Sequence, residues 1–383
     1  MSETQMTEMV LTNARLVLSD IVIDGSIQIR DGRIADIASG RSTAPGALDC
    51  DGDYVIPGLV ELHTDNLERH LQPRPGVEWP RRAAVAAHDG EFISVGVSTI
   101  FDALRVGTIN VDGIGHYAPA VLEAEQALND LGLLKADHYF HLRCEVSSSK
   151  LVEEFDSVGD DPRVRLISIM DHTPGQRQFA NIDKLKQYYQ GKHGWSDDRM
   201  AAFVVEAKKN QARWCPPNIA ALKERAEKRN FAVASHDDAT EDQVAESVAV
   251  GANIAEFPTT LEAARASRSA GLKILMGAPN LLRGFSHSGN VSAMDLAREG
   301  LVDVLSSDYA PASLMLAAFK LAEETDYGLP AAIGTVTRNP ALAVDLKDRG
   351  ALEVGLRADL ARVYRAERLC VTRGVWREGE RVT

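Results

Sequence analysis

From Val10 to Val55 apolar and polar residues alternate in short runs, "LTNARLVL", "GSIQIRDGRIADIAS" and "LDCDGDYVIPG", separated by turn residues. A period of two sends successive side chains to opposite faces of an extended chain, so this beginning is predicted to be all β. Asp31-Gly32 between "SIQIR" and "RIADI" predicts a tight hairpin, because that pair suits the positive backbone φ of a two-residue turn. The tail, "GLRADLARVY" and "RLCVTRGVWREG", has the same style. The two ends are expected to make one small composite β-sandwich, residues 1–55 with 346–383.

Between the ends the pattern changes. Eight short apolar runs, "VIPGLVELH", "VSTIFDA", "HYFHLRCE", "RLISIMDH", "FAVASHDD", "NIAEFPT", "LKILMGAP" and "VDVLSSD", alternate with stretches of helical period. Strand and helix in alternation signal β/α units on a parallel sheet, and eight strands close a barrel. The predicted fold class is α/β, a (β/α)8 TIM-like barrel over residues 56–345 with the β-sandwich beside it. "PPNIAALKERAEKRN" after Pro216 and "TEDQVAESVAVG" after Asp238 read as amphipathic helices, the second capped by Thr240.

Composition narrows the class. The chain has 383 residues, 45% apolar and 25% charged, which suits a globular protein. It has no uncharged apolar run of eighteen residues, and "MSETQMTEMVL" carries acids where a secretory leader is basic, so a cytoplasmic protein without a membrane is expected. A net charge of -13 sets the surface as a whole against nucleic acid. Cys50, Cys144, Cys215 and Cys370 form no CxxC pair and are expected to pack in the core rather than to bind zinc or form disulfides. One stretch runs against the global charge: "RHLQPRPGVEWPRR" sets Arg69, Arg74, Arg81 and Arg82 within fourteen residues, either a solvated basic loop or a pocket for an anion.

Parallel barrels carry their chemistry at the C-terminal ends of the strands. Those ends hold His63 and Asp65, Glu145, Asp171-His172, His236-Asp237-Asp238, Glu256 and Asp308. Imidazole and carboxylate together suit zinc or manganese. His88, His116, His138, His141 and His193 are read as structural or surface residues.

"VIPGLVELHTD", "VLSSDYAP" and "GLRADLARV" resemble the amidohydrolase superfamily, and the resemblance spans essentially the whole chain. "ELHTDNLERHLQPRPGVEWP", "RCEVS", "MDHTPGQ", "ASHDD", "EFPTT", "GAPNLLRGFSHSGN" and "LSSDYAP" resemble one branch of it, the triphosphate diphosphatases of the carbon–phosphorus lyase pathway. The usual His-x-His is here His63-x-Asp65, no lysine ends the fourth strand, and Glu256 stands where many members have a histidine. The resemblance therefore implies one or two divalent ions on His63, Asp65, Glu145, His172, His236 and Asp308, with Glu145 rather than a carboxylated lysine as the bridge.

The branch implies a substrate, α-D-ribose 1-methylphosphonate 5-triphosphate, cleaved to the 5-phosphate and pyrophosphate. Asp308 would take the proton of the attacking water. Arg69, Arg74, Arg81, Arg82 and Arg143 are the candidates for the phosphates, since a guanidinium fork matches phosphate oxygens bidentately. "RGFSHSGN" adds Arg283, Ser286, His287 and Ser288, in a place where barrels often bind phosphate. The absence of GxxxxGK[ST] excludes a P-loop hydrolase. Two other readings stay open: an amidase or deacetylase on a cyclic amide or N-acetyl sugar phosphate, and a non-catalytic scaffold. A homodimer and association with other phosphonate-pathway proteins are compatible with the resemblance.

Overall fold

Alternating residues at both chain ends fold as their period requires. The structure, a computed structural model, describes residues 8–109, 115–177, 195–286 and 289–383. From the N-terminal end come β1 (Glu8–Val17), β2 (Val22–Arg30), β3 (Arg33–Ser39), β4 (Leu48–Asp49) and β5 (Tyr54–Pro57). The barrel strands follow: β6 (Leu59–Thr64), β7 (Val97–Val106), β8 (Asp137–Glu145), β9 (Val164–Met170), β10 (Ala232–His236), β11 (Ile254–Glu256), β12 (Lys273–Gly277) and β13 (Val304–Ser306). The tail supplies β14 (Leu360–Ala366), β15 (Leu369–Arg377) and β16 (Glu380–Arg381).

Strands from both ends share one mostly antiparallel sheet, in the order β16-β15-β14-β5-β1-β2-β3, with β4 paired to β1. Its apolar faces meet in one core that includes Leu11, Ile27, Ile34, Val55, Leu360 and Trp376. The Asp31-Gly32 hairpin is present, with φ of 50° and 77° at its two residues, the region that Gly enters freely and Asp tolerates. The eight central runs form the second sheet, in the sequential order β13-β12-β11-β10-β9-β8-β7-β6. Its two edges meet through a parallel bridge between Thr64 and Asp308, so the sheet is a nearly closed parallel barrel, as the strand count predicts.

The chain divides into two compact units. One comprises Met1–Asp102, Ala124–His138 and Asp303–Thr383, and the other Ala103–Glu123 and Tyr139–Val302. In the first, β6 leads into α1 (Asn66–Leu71), and α2 (Arg81–Ser94) follows the basic stretch. α2 and α3 (Ala118–Asp130) enclose a buried polar core in this unit. Asp102 receives two imidazoles, His88 Nε2 on Oδ1 and His138 Nδ1 on Oδ2, each at 2.7 Å. His138 Nε2 reaches Asp89 Oδ1 at 3.2 Å, and Asp89 accepts the backbone N–H groups of Lys135 and Ala136. Burial opposes charge on Asp102, but the two histidines outweigh it and hold this carboxyl well below its usual range. Burial likewise opposes charge on His138, and Asp102 outweighs it, so the imidazole titrates well above its usual value. Asp102, Glu125 and His138 also bring ligand atoms within 4.8 Å of one another. Both Asp102 oxygens are engaged by imidazoles, so this core is a continuous network of hydrogen-bonded acids and imidazoles.

In the second unit the helices are α4 (Leu151–Asp156), α5 (Asp197–Arg229) and α6 (Glu241–Ala249). The preference of proline for the first turn of a helix predicts a start near Pro216. Instead α5 begins nineteen residues earlier and carries Pro216 and Pro217 inside it. Ser196 opens it, accepting the Arg199 N–H, and Asp197 and Asp198 add the acids that favour a first turn. Thr240 caps α6 as predicted, accepting the Gln243 N–H at 3.3 Å. Thr240→Ala is expected to cost about 1 kcal/mol, read as a lower denaturant midpoint at unchanged slope. All four cysteines are free of disulfides; Cys50, Cys144 and Cys215 are buried, as expected for core residues, whereas Cys370 is only half-buried.

Candidate active site

In the first unit the site is built on the barrel seam. Glu61 and His63 lie two apart near the end of β6 and share a side of the strand, and Asp65 follows it as the residue that opens α1. Asp308, two residues beyond β13, is stitched to that strand. It donates its N–H to the His63 carbonyl at 3.1 Å, and its own carbonyl accepts the N–H of Asp65 at 2.9 Å and the hydroxyl of Thr64 at 3.0 Å. Its φ of 54° places it in the left-handed region, which Asp enters more readily than most residues. His63, Asp65 and Asp308 thereby bring ligand atoms within 4.8 Å of one another, with His63 Nε2 at 3.9 Å from Asp65 Oδ1.

Glu61 secures this seam. Its Oε1 accepts the His63 N–H and its Oε2 the Ser307 N–H, both at 2.7 Å, so one carboxyl ties β6 to β13. It is fully buried, and burial pushes its carboxyl up to about 7 against those hydrogen bonds. Strand-end placement alone passes over Glu61. Its signal in the sequence is an acid at an inward position of an otherwise apolar strand, two residues before His63.

In the second unit His236 and Glu256 are register partners at the ends of β10 and β11. His236 Nδ1 lies 2.8 Å from Asp237 Oδ2 and its Nε2 3.7 Å from Glu256 Oε2. The residues after both strand ends are left-handed, Asp237 at 58° and Phe257 at 56°. A bulky aromatic rarely adopts this conformation, and held backbone strain of this kind gathers at functional sites. Glu256 Oε1 is 4.0 Å from His141 Nδ1, a histidine that the sequence suggests only as structural. The alternation 141, 143, 145 along β8, rather than the spacing of 138 and 141, puts it on the inner side with Glu145.

Glu145 Oε2 meets His172 Nδ1 at 2.7 Å, and its Oε1 accepts the Ser147 hydroxyl at 2.7 Å. Burial opposes charge on His172, but Glu145 outweighs it and raises the imidazole above its usual value. The His172 and His236 rings stand edge to face, 5.5 Å apart. His172, His236 and Asp237 form a second group with ligand atoms within 4.8 Å of one another. Asp171 and Asp238 point elsewhere: Asp171 accepts Gln211 of α5, and Asp238 holds Arg177 and the Ser247 hydroxyl. Both three-residue groups pair imidazole nitrogens with carboxylate oxygens, a donor set that fits a borderline divalent cation.

The candidate phosphate ligands are less gathered. Arg69 ends α1 and pairs with Glu91 at 2.9 Å, while Arg74, Arg81 and Arg82 are exposed and make no ion pair among the described residues. Arg143 is half-buried on β8, and the exposed Arg283 guanidinium lies over the Phe285 ring at 4.6 Å. Ser286 is half-buried; His287, Ser288 and His193 lie outside the described residues.

No protein-family model matches the chain. Among solved structures, N-acetyl-D-glucosamine-6-phosphate deacetylase from Mycobacterium smegmatis superposes with a TM-score of 0.65 at 17% identity, covering 98% of this chain and 100% of that one. N-isopropylammelide isopropylaminohydrolase from Burkholderia multivorans gives 0.64 at 17% identity, covering 98% of each. The chain thus shares its fold with these two enzymes. In sequence the chain is 44% identical over 377 residues to the alpha-D-ribose 1-methylphosphonate 5-triphosphate diphosphatase of Escherichia coli K12, covering 98% of this chain and all of that protein. It belongs to the family of these diphosphatases and is a hydrolase. Among the described residues no helix is long and apolar enough to cross a membrane.

Proposed function

We propose that the protein hydrolyses α-D-ribose 1-methylphosphonate 5-triphosphate to the 5-phosphate and pyrophosphate, in the cytoplasm, by attack of water on the α-phosphorus. The observation that carries this reading is the 44% identity, which covers 98% of this chain and all of that protein. Two groups of donor atoms suited to divalent metal support it. One ion would be held by His63, Asp65 and Asp308, and another by His172 and His236, with Asp237 or Glu145 as carboxylate. Zinc or manganese bound there would supply a water whose pKa falls from 15.7 toward about 7.

The chain's own residues do the rest. Asp308 accepts the proton of the attacking water on a carboxylate oxygen, its backbone fixed on both sides by β6. Glu61 keeps β6 and β13 together, so His63 and Asp308 hold their spacing. Arg69, Arg74, Arg81, Arg82, Arg143 and Arg283, with Ser286, supply donors for the phosphoryl and phosphonate oxygens, whose charge grows as pyrophosphate leaves. Arg283→Ala is expected to raise KM for the triphosphate about tenfold, the effect of one lost charge-assisted hydrogen bond. An unchanged KM and kcat would return this loop to an ordinary turn.

The test of the reaction is phosphorus NMR on metal-supplemented protein in oxygen-18 water. Pyrophosphate together with label on the 5-phosphate is the expected result. Unreacted substrate, with bound metal confirmed, would overturn the reading in favour of carbon–nitrogen hydrolysis. That alternative rests on fold likeness, which many chemistries share.

A further inference from the structure

The second unit contains a cavity of about 570 Å³ that none of the sequence candidates except His172 reaches. One wall is the loop after β8, Ser147, Ser148, Ser149 and Lys150. Another is the start of α5, with Trp195, Arg199, Phe203 and Glu206, and Thr108 and Ile109 complete the rim. Two cations therefore border a space that has His172 on its wall.

The Lys150 ammonium makes no ion pair among the described residues and is exposed at the rim. The Arg199 guanidinium is exposed too and lies 4.5 Å over the Trp195 ring, a stacking that leaves its N–H edge open to an anion. The anion on the wall, Glu206, has a cation of its own in Lys209, one helical turn on at 3.9 Å. Ser149 adds an exposed hydroxyl between the two walls.

The walls are fixed rather than loose. Asn218, on α5, donates to the carbonyls of Val146 and Ser148, each at 2.8 Å. Ser148 donates its hydroxyl to the Thr108 carbonyl at 3.1 Å and accepts the Lys150 N–H at 3.2 Å. Glu154 accepts the N–H groups of Gly107 and Thr108, both at 2.8 Å, and the Thr108 hydroxyl at 3.0 Å. Gly107 has a φ of 88°, and a Cβ there would stand 2.7 Å from the Glu145 carbonyl, so the rim and the end of β8 meet at a point only glycine fits. Walls held in place before the ligand arrives need no ordering on binding, which suits a site for a highly charged leaving group.

We infer that this cavity is the seat of the terminal diphosphoryl group, the part of the substrate that departs as pyrophosphate, with Lys150 and Arg199 as its cations. The inference rests on the reaction proposed above, because a leaving group must lie beside the reacting phosphorus and the cavity opens onto His172. Of the two ends of the substrate, the diphosphoryl group is the more highly charged and matches two cations better than a phosphonate monoester does.

The experiment is calorimetric titration of the full-length, metal-replete protein with inorganic pyrophosphate, beside the steady-state kinetics of hydrolysis. Wild type is compared with Lys150→Met, Arg199→Gln and the pair, and metal content is measured after each titration. Both side chains are exposed, and the packing lost is the stacking of Arg199 on Trp195, so melting temperatures close to that of wild type are expected. Each single change is expected to weaken pyrophosphate binding at least tenfold and to raise KM for the triphosphate by a similar factor. If wild type fails to bind pyrophosphate, or if the pair binds it as wild type does with metal retained, the cavity is not the seat. If the pair loses pyrophosphate while wild type cleaves no triphosphate, the seat stands and the proposed reaction falls. If wild type cleaves the triphosphate and the pair does so with an unchanged KM, the reaction stands and the seat falls.

Discussion

Asp308→Asn is expected to lower kcat by at least about a hundredfold, the lower end of what a positioned general base contributes, with the fold and melting temperature intact. Asparagine has the shape of aspartate and also tolerates the left-handed conformation that residue 308 adopts. The N–H and the carbonyl of residue 308 that stitch it to β6 are backbone atoms and are kept in the change. What is lost is the negative oxygen that receives a proton. Pyrophosphate release measures kcat, and metal analysis of the purified variant separates a chemical defect from loss of the ion. A metal-replete Asn variant that turns over at the wild-type rate would remove Asp308 from the role of base.

Asp102→Ala should have the largest effect on stability, a loss of about 3–5 kcal/mol, because it leaves the partners of a buried ion network uncompensated. Its pH dependence follows from the direction of each shift. His138 titrates above its ordinary value, so its contribution is full below the unfolded value of about 6.5 and fades as pH rises through the folded one. Asp102 titrates below its ordinary value, so its contribution is present above about 3.9 and fades as pH falls through the folded one. The gap in unfolding free energy between wild type and variant should therefore be widest between about pH 4 and 6.5 and narrow on either side. Chemical denaturation at a series of pH values reads it directly, and a gap that stays constant from about pH 4 to 9 would mean that the network carries no charge of consequence.

The strands were legible because their signal is local. Each of the eight central runs is a barrel strand, and Asp31-Gly32 and Thr240 do what their chemistry requires of a turn and a cap. The start of α5 was not, because Pro216 and Pro217 are the stronger local signal and Ser196-Asp197-Asp198 looks like any polar stretch until a helix is seen to follow. Strand-end placement brought His63, Asp65 and Asp308 to notice as a set, and the structure gathers their ligand atoms. It could not reveal which carboxylate faces which imidazole. Glu145 is engaged by His172 and Ser147, and it is Asp237 that joins His172 and His236 in a donor group, while Glu256 takes its place between His236 and His141. Such pairings depend on register between strands remote in sequence. The arginines drew attention by clustering along the chain, whereas Lys150 and Arg199, far apart in the sequence, line one wall each of a single cavity.

The seam between β6 and β13 joins Thr64 to Asp308 across 244 residues. During synthesis the first strand leaves the ribosome long before its partner exists, and contacts this distant in sequence are slow to form because the intervening chain must close first. The donor group of His63, Asp65 and Asp308 therefore cannot exist on a nascent chain until the last barrel strand has been made. A metal held there would be acquired late in maturation, and a truncated or stalled chain that ends before residue 308 lacks this donor group.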